Sequence, residues 1–186
     1  NKYNFIFDNN RLTLTQNNNE ILTISSEERD EYELLSNKIL ELENSLQKPI
    51  FLMKNKDVPF FDTSISNKTL LNHSISLINN KSIEDFENKT NQTIELQRFR
   101  GNIYADGIEA WEERNWIGKI IKINNISFKV EKNIPRCVAI NLKPNSDDNS
   151  LNLLQSLKKT YNHFDMGIYL TALDNGKVNI DDTISV

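Results

Sequence analysis

The chain has one cysteine, two histidines and six arginines in 186 residues. One cysteine cannot form an internal disulfide or a thiolate cluster, so no bridge staples this fold and no iron–sulfur cluster is housed by it. His73 and His163 with that cysteine do not make a zinc-binding spacing. No run of about 18 apolar residues occurs, so no membrane-spanning helix is expected. The five glycines form no G-x-G-x-x-G, Walker or G-x-S-x-G arrangement, which removes the common nucleotide loops and the hydrolase elbow. An excess of positive charge is missing too. The formal net charge is −4 and no basic patch dominates, which argues against a general nucleic-acid partner. One cysteine without a disulfide framework suits a reducing, cytoplasmic compartment. No leader pattern opens the chain, and its first residue is Asn1, not Met, as in a trimmed or partial chain.

The apolar pattern implies a mainly β fold with a few short helices. Residues 3–7 and 11–15 alternate around Asn9-Asn10, and residues 20–24 follow a second asparagine turn, giving three strands. Ser25 and Glu28 suggest a capping box. Leu35, Ile39, Leu42 and Leu46 then share one helix face, and the helix stops before Pro49. Residues 50–53 read as a short strand, and the polar stretch 54–73 is the best linker. Residues 74–78 read as a strand and 80–89 as a helix capped by Asn79 or Asn80. A hairpin is expected over 119–123 and 127–132 around Asn124-Asn125, then a strand over 136–142. Leu151, Leu154, Leu157 and Tyr161 mark a short helix. A last hairpin is expected over 167–173 and 177–180, with 183–186 closing the chain. Many short strands suggest a barrel-like core. The acidic pairs Glu112-Glu113 and Asp181-Asp182 read as solvated turns.

The residue to explain is Cys137, in Pro135-Arg136-Cys137-Val138. It can be a small hydrophobe, a nucleophile, a sulfur carrier or one soft metal ligand. Arg136 places a permanent positive charge beside it, which favours the thiolate, the reactive and ligating form. The chain uses Lys for generic charge and Arg sparingly. Three of the six arginines are Arg98, Arg100 and Arg136, close in sequence to Asn102 or Cys137. Arginine forks suit phosphate, and thiolate suits a metal that binds sulfur. A phosphate-bearing cofactor that delivers a metal would use both, and a structural cysteine beside surface arginines would use neither.

Arg98-Phe99-Arg100-Gly101-Asn102-Ile103, Asp106-Gly107, Trp111-Glu112-Glu113, Trp116-Ile117-Gly118-Lys119 and Pro135-Arg136-Cys137-Val138 follow one another in an order that resembles the MOSC domain. That domain is named for the C-terminal part of molybdenum cofactor sulfurases. The ending, Met166-Gly167-Ile168-Tyr169-Leu170 with Asn175-Gly176 and Ile180-Asp181-Asp182, is similar to the family's closing strands. The resemblance looks closest to two-part proteins such as the mitochondrial amidoxime-reducing component and its bacterial relatives. It implies part of an N-terminal β-rich or α+β domain over residues 1–66 and a MOSC-type β-barrel over residues 67–186.

The resemblance further implies a molybdenum cofactor, a molybdopterin, with Cys137 as molybdenum ligand and catalytic centre. Arg98, Arg100, Asn102, Arg136 and Tyr169 are its implied cofactor-binding residues. The implied activity is an oxidoreductase reducing N-hydroxylated compounds, supplied with electrons by a separate iron–sulfur or flavin protein. A second reading makes Cys137 a persulfide-bearing sulfur carrier fed by a cysteine desulfurase. A third is a non-catalytic binding domain. Family members are associated with pyridoxal phosphate through fusion to desulfurase domains, but nothing in this chain resembles a domain that would hold it. Gly101 stands where the family usually has Pro, which is expected to loosen the loop carrying Arg100 and Asn102. The family's opening Tyr-Pro-x-Lys strand is not in this sequence.

Overall fold

The computed structural model describes residues 3–46, 49–52 and 74–186, which fall in two compact units. Asparagine pairs shape the first. Asn9 and Asn10 have φ of 46° and 61°, and Asn17 and Asn18 have 52° and 64°. These left-handed values are what a two-residue hairpin turn demands and what asparagine tolerates. They join β1 (Asn4–Asp8), β2 (Arg11–Gln16) and β3 (Asn19–Ser25) into an antiparallel meander. α1 (Arg29–Leu42) packs on it, burying Leu14, Ile24 and Leu35.

The helix stripe holds as far as Leu42; the helix ends there and Leu46 is exposed. The Ser25–Glu28 capping box does not form. Glu28 occupies the cap position with no side-chain bond, and the Ser25 N–H donates to Glu31 Oε2 at 2.5 Å. A carboxylate three residues further on takes the role expected of Glu28. Residues 50–52 are not a strand, although Leu52 joins the apolar cluster. Met53, the expected linker 54–73, which includes His73, and the expected boundary between 66 and 67 lie outside the described residues.

The second unit is a six-stranded sheet that curls into a half-barrel, as a MOSC-type β-barrel fold requires. Its strands are β4 (Ile75–Asn79), β5 (Ile103–Ala105), β6 (Ile120–Ile123), β7 (Ile126–Pro135), β8 (Asp165–Ala172) and β9 (Ile184–Ser185). Their order is β5-β4-β8-β7-β6-β9. β4 and β5 pair in parallel across α2 (Asn80–Thr90), and the other pairs are antiparallel. Asn79 caps α2, its side chain accepting the Lys81 N–H at 3.0 Å. Successive residues of a strand point to opposite faces. Leu77 accordingly joins one apolar cluster with Ile121, Phe128, Val130, Ile168 and Leu170, while Ile78 joins another with Phe86, Phe99 and Met166. α2 and α3 (Leu153–Tyr161) contribute Ile83, Leu153 and Leu157 to the second cluster. Burial of each such side chain contributes about 1.5–3 kcal/mol. The described residues are mainly β with three short α-helices, as the sequence implies.

Two strand expectations are overturned. Residues 136–142 are not a strand: β7 runs on to Pro135, and Val138–Asn141 forms a 3₁₀ turn. Proline has no N–H with which to carry the ladder further, and the next N–H, that of Arg136, donates to the Phe164 carbonyl at 2.9 Å. Cys137 therefore follows a strand end instead of opening a strand. The hairpin around residues 174–176 is also absent. The Asp174 carboxylate accepts the Ser127 N–H at 2.9 Å, Val178 packs against the first cluster, and Ile184–Ser185 takes the edge of β6.

Candidate functional site

The site is built where the end of β7, the start of β8 and the 3₁₀ turn Leu96–Phe99 converge on Arg136. Its Nε donates to the Met166 carbonyl at 2.8 Å, Nη2 donates to the same oxygen, and Nη1 donates to the Phe99 carbonyl at 2.8 Å. The guanidinium also lies over the Phe99 ring, 5.6 Å from its centroid. All three hydrogen-bond contacts are to neutral carbonyls, and no ion pair to Arg136 is formed among the described residues. Burial lowers its pKa to about 10, while Tyr169, Tyr104, Cys137 and Asp165 support its charge. Asp165 is itself paired to Arg114 at 3.4 Å. A buried cation held by neutral groups leaves net positive potential beside Cys137, and an anion would relieve it.

Cys137 is exposed, with extended backbone (φ −114°, ψ 178°), as the cap of the 3₁₀ turn Val138–Asn141. Tyr169 on β8 is half-buried. Burial raises its pKa, Arg136 opposes that shift and Cys137 adds to it. Tyr169 is the register partner of Ser76 on β4, and Ser76 anchors Asn102. Asn102 Oδ1 accepts from the Ser76 N–H at 2.9 Å and from its hydroxyl at 2.8 Å, while Asn102 N donates back to the Ser76 carbonyl at 3.1 Å. Among the described residues, the side-chain nitrogen of Asn102, Nδ2, makes no hydrogen bond.

Arg100 differs from the other arginines of the site. It is exposed, and among the described residues its side chain makes no hydrogen bond or ion pair. Its backbone is left-handed, with φ 48° and ψ 46°, a conformation rare for a residue with a Cβ. Arg98 points elsewhere. It is 3% exposed, its Nε donates to Glu95 at 2.6 Å and its Nη1 to the Asn141 carbonyl at 2.6 Å. It ties the turn before Arg100 to the turn after Cys137. Of the sequence candidates, the structure groups Cys137, Arg136 and Tyr169 around one charge. Arg100 and Asn102 follow Phe99 on the adjoining loop, and Arg98 braces that loop from below the surface.

Gly101 does not loosen the loop. Its N–H donates to the Tyr104 hydroxyl at 2.9 Å, and a Cβ there would meet Ile78 Cγ1 at 2.6 Å. Glu113 is a second correction. Expected in solvent, it is wholly buried, accepting from Asn79 Nδ2 at 2.8 Å and from the Ser82 hydroxyl at 2.9 Å. Burial raises its pKa against the pull of those donors. The Ser82 oxygen in turn accepts the Trp111 N–H at 2.8 Å. Trp111 holds a left-handed φ of 68°, and its ring nitrogen donates to Asp85 at 2.7 Å. Sequence reasoning missed Ser76, Tyr104 and the carbonyls of Phe99 and Met166. Ser76 and Tyr104 lie outside the quoted motifs, and the carbonyls of Phe99 and Met166 leave no mark in a sequence.

Among the described residues, no cluster of three His, Cys, Asp or Glu could hold a metal ion, and no helix is long and apolar enough to cross a membrane. Those residues offer a metal at Cys137 no ready-made set of three such ligands. The donor set suits a metal already chelated by an organic carrier: an accessible soft sulfur, a guanidinium whose hydrogen bonds all go to neutral carbonyls, and a surface guanidinium that is unpaired among the described residues. No curated protein matches the chain. The model of the MOSC domain matches residues 45–185, a span that contains every residue of the site. Motif order, curled sheet and family match agree, and the chain belongs to the MOSC domain family, which is associated with the molybdenum cofactor.

Proposed function

We propose that Cys137 is the thiolate ligand of a molybdenum cofactor and that the protein is an oxidoreductase of the amidoxime-reducing kind. The observation that carries this reading is an exposed thiol beside a buried guanidinium whose bonded partners are all neutral carbonyls. An anionic metal–pterin group would supply the missing negative charge. When bound, such a cofactor supplies two-electron redox chemistry, here the reduction of N-hydroxylated compounds. The chain contributes placement. Cys137 binds through sulfur, Arg100 offers its fork to phosphate, and the Asn102 amide and Tyr169 hydroxyl offer donors to the pterin. Arg98 and Arg136 hold the segments that carry them. The β-rich unit ahead of the site supports membership of the two-part branch. Electrons would come from a separate iron–sulfur or flavin protein, in a cytoplasmic setting that keeps Cys137 reduced. Cofactor at about 100 times its Kd adds roughly 2.7 kcal/mol to stability. A thermal unfolding curve unmoved by the cofactor would sink this reading.

One observation favours a second reading. Cys137 and the adjacent Val138, 68% exposed, are open to a protein partner, as a sulfur carrier requires. Incubation with a cysteine desulfurase and cysteine, followed by mass spectrometry, tests it. A persulfide on Cys137 is expected, and an unmodified thiol would end the idea.

A further inference from the structure

Arg100 ends a 3₁₀ turn in a left-handed conformation, which a residue with a Cβ disfavours. Something must hold it there. On its N-terminal side the Arg100 N–H donates to the Gln97 carbonyl at 3.1 Å. On its C-terminal side Asn102 is fastened to Ser76 by backbone and side chain. Between them lies Gly101, in a space with no room for a side chain: its Cβ would come within 2.6 Å of Ile78 and 3.1 Å of the Tyr104 ring. Among the described residues, its N–H has no backbone acceptor. Tyr104 provides for it. The hydroxyl accepts the Gly101 N–H at 2.9 Å and donates to the Leu96 carbonyl at 3.2 Å, bridging the loop to the start of the turn.

We propose that Tyr104 is a positioning residue for Arg100: its hydroxyl closes the 96–101 loop and keeps Arg100 left-handed, with its guanidinium free for an anionic ligand. The ligand half of this statement rests on the reading of Arg100 as the anion arm of the site. The chemistry also accounts for Gly101. A glycine has an N–H that must be paired when buried, and here a tyrosine two strand positions beyond Asn102 supplies the oxygen.

The test is Tyr104→Phe in the full chain, which removes the oxygen and keeps the ring. Loss of a bridging bond is expected to speed Gly101 amide hydrogen exchange about tenfold, with the amides of β6 and β7 unchanged. Affinity for inorganic pyrophosphate, the probe of the anion arm, should fall about fivefold in the wild-type background and no further in Arg100→Ala. Unchanged Gly101 exchange would overturn the proposal. So would an equal loss of affinity in both backgrounds, because Tyr104 would then not act through Arg100. If wild-type protein binds no pyrophosphate, the anion-arm reading fails by itself, and the exchange measurement still decides whether Tyr104 sets the loop.

Discussion

Arg136 Nη1 donates to the Phe99 carbonyl at 2.8 Å, and this bond joins segments 37 residues apart in the chain. Together with the bonds to Met166 it makes one side chain the hub of three segments: the loop of Arg100, the start of β8 and the turn of Cys137. The residue next to the candidate metal ligand is thus a structural fastener as well as a source of charge. Its bonds to Phe99 and Met166 fasten the loop of Arg100 and the start of β8 to the turn of Cys137.

Removing that fastener should cost stability. Arg136→Ala leaves two buried carbonyls without their donor, at about 1–3 kcal/mol each. Arg136→Lys keeps the charge but cannot fork, so it should recover only part of the loss. Urea unfolding of both variants checks this. Equal stability of Arg136→Ala and wild type would remove Arg136 from the hub.

Arg98 and Arg100 should separate cleanly. Arg98 is buried between Glu95 and Asn141, so Arg98→Ala should destabilise by about 2–4 kcal/mol. Arg100 is exposed and, among the described residues, unpaired. Arg100→Ala should leave stability within about 0.5 kcal/mol and weaken cofactor binding. The same pair of measurements on both variants would expose the opposite assignment directly.

Glu113 predicts a pH effect with a definite sign. Burial raises its pKa in the fold above the ordinary 4.5. The folded state therefore holds this proton more tightly than the unfolded chain does. The contribution is fully present below pH 4.5 and is lost as pH rises through the raised value. Glu113→Gln keeps an acceptor for Asn79 and Ser82 without titrating, so its stability should lack that decline. Unfolding curves between pH 4 and pH 8 that fall in parallel for the two proteins would contradict this.

The sequence made the hairpins at Asn9-Asn10, Asn17-Asn18 and Asn124-Asn125 legible because asparagine pairs and alternating apolar residues act locally, but not the fate of residues 174–180, where the Asp174 carboxylate takes the Ser127 N–H and no hairpin forms. Asn124, with φ 54°, turns β6 into β7 where the pattern places the turn. It drew attention to Cys137 and Arg100 because rare residue types stand out in a Lys- and Asn-rich chain, whereas Asn102, a common type, is marked only by the motif around it. It misplaced the strand after Pro135, since Val138, Ile140 and Leu142 alternate like a strand while proline ends the ladder and the backbone bonds go to Phe164. It put Glu113 in water because burial of a carboxylate depends on Asn79 and Ser82, more than thirty residues away in sequence. The division of labour among the arginines was also hidden. Three forks look alike in sequence, and only the fold shows that Arg98 and Arg136 bind their own backbone or a neighbouring acid.

The central claim is that Cys137 sulfur holds the metal of the site. The most direct measurement is molybdenum content per chain after reconstitution with the cofactor, wild type against Cys137→Ser, both confirmed folded by circular dichroism. The account predicts about one molybdenum per wild-type chain and near-complete loss in Cys137→Ser, because no other cluster of described residues can ligate a metal and serine is a poor replacement for a soft ligand. Equal loading of the two proteins, or no molybdenum in the wild type, would contradict it.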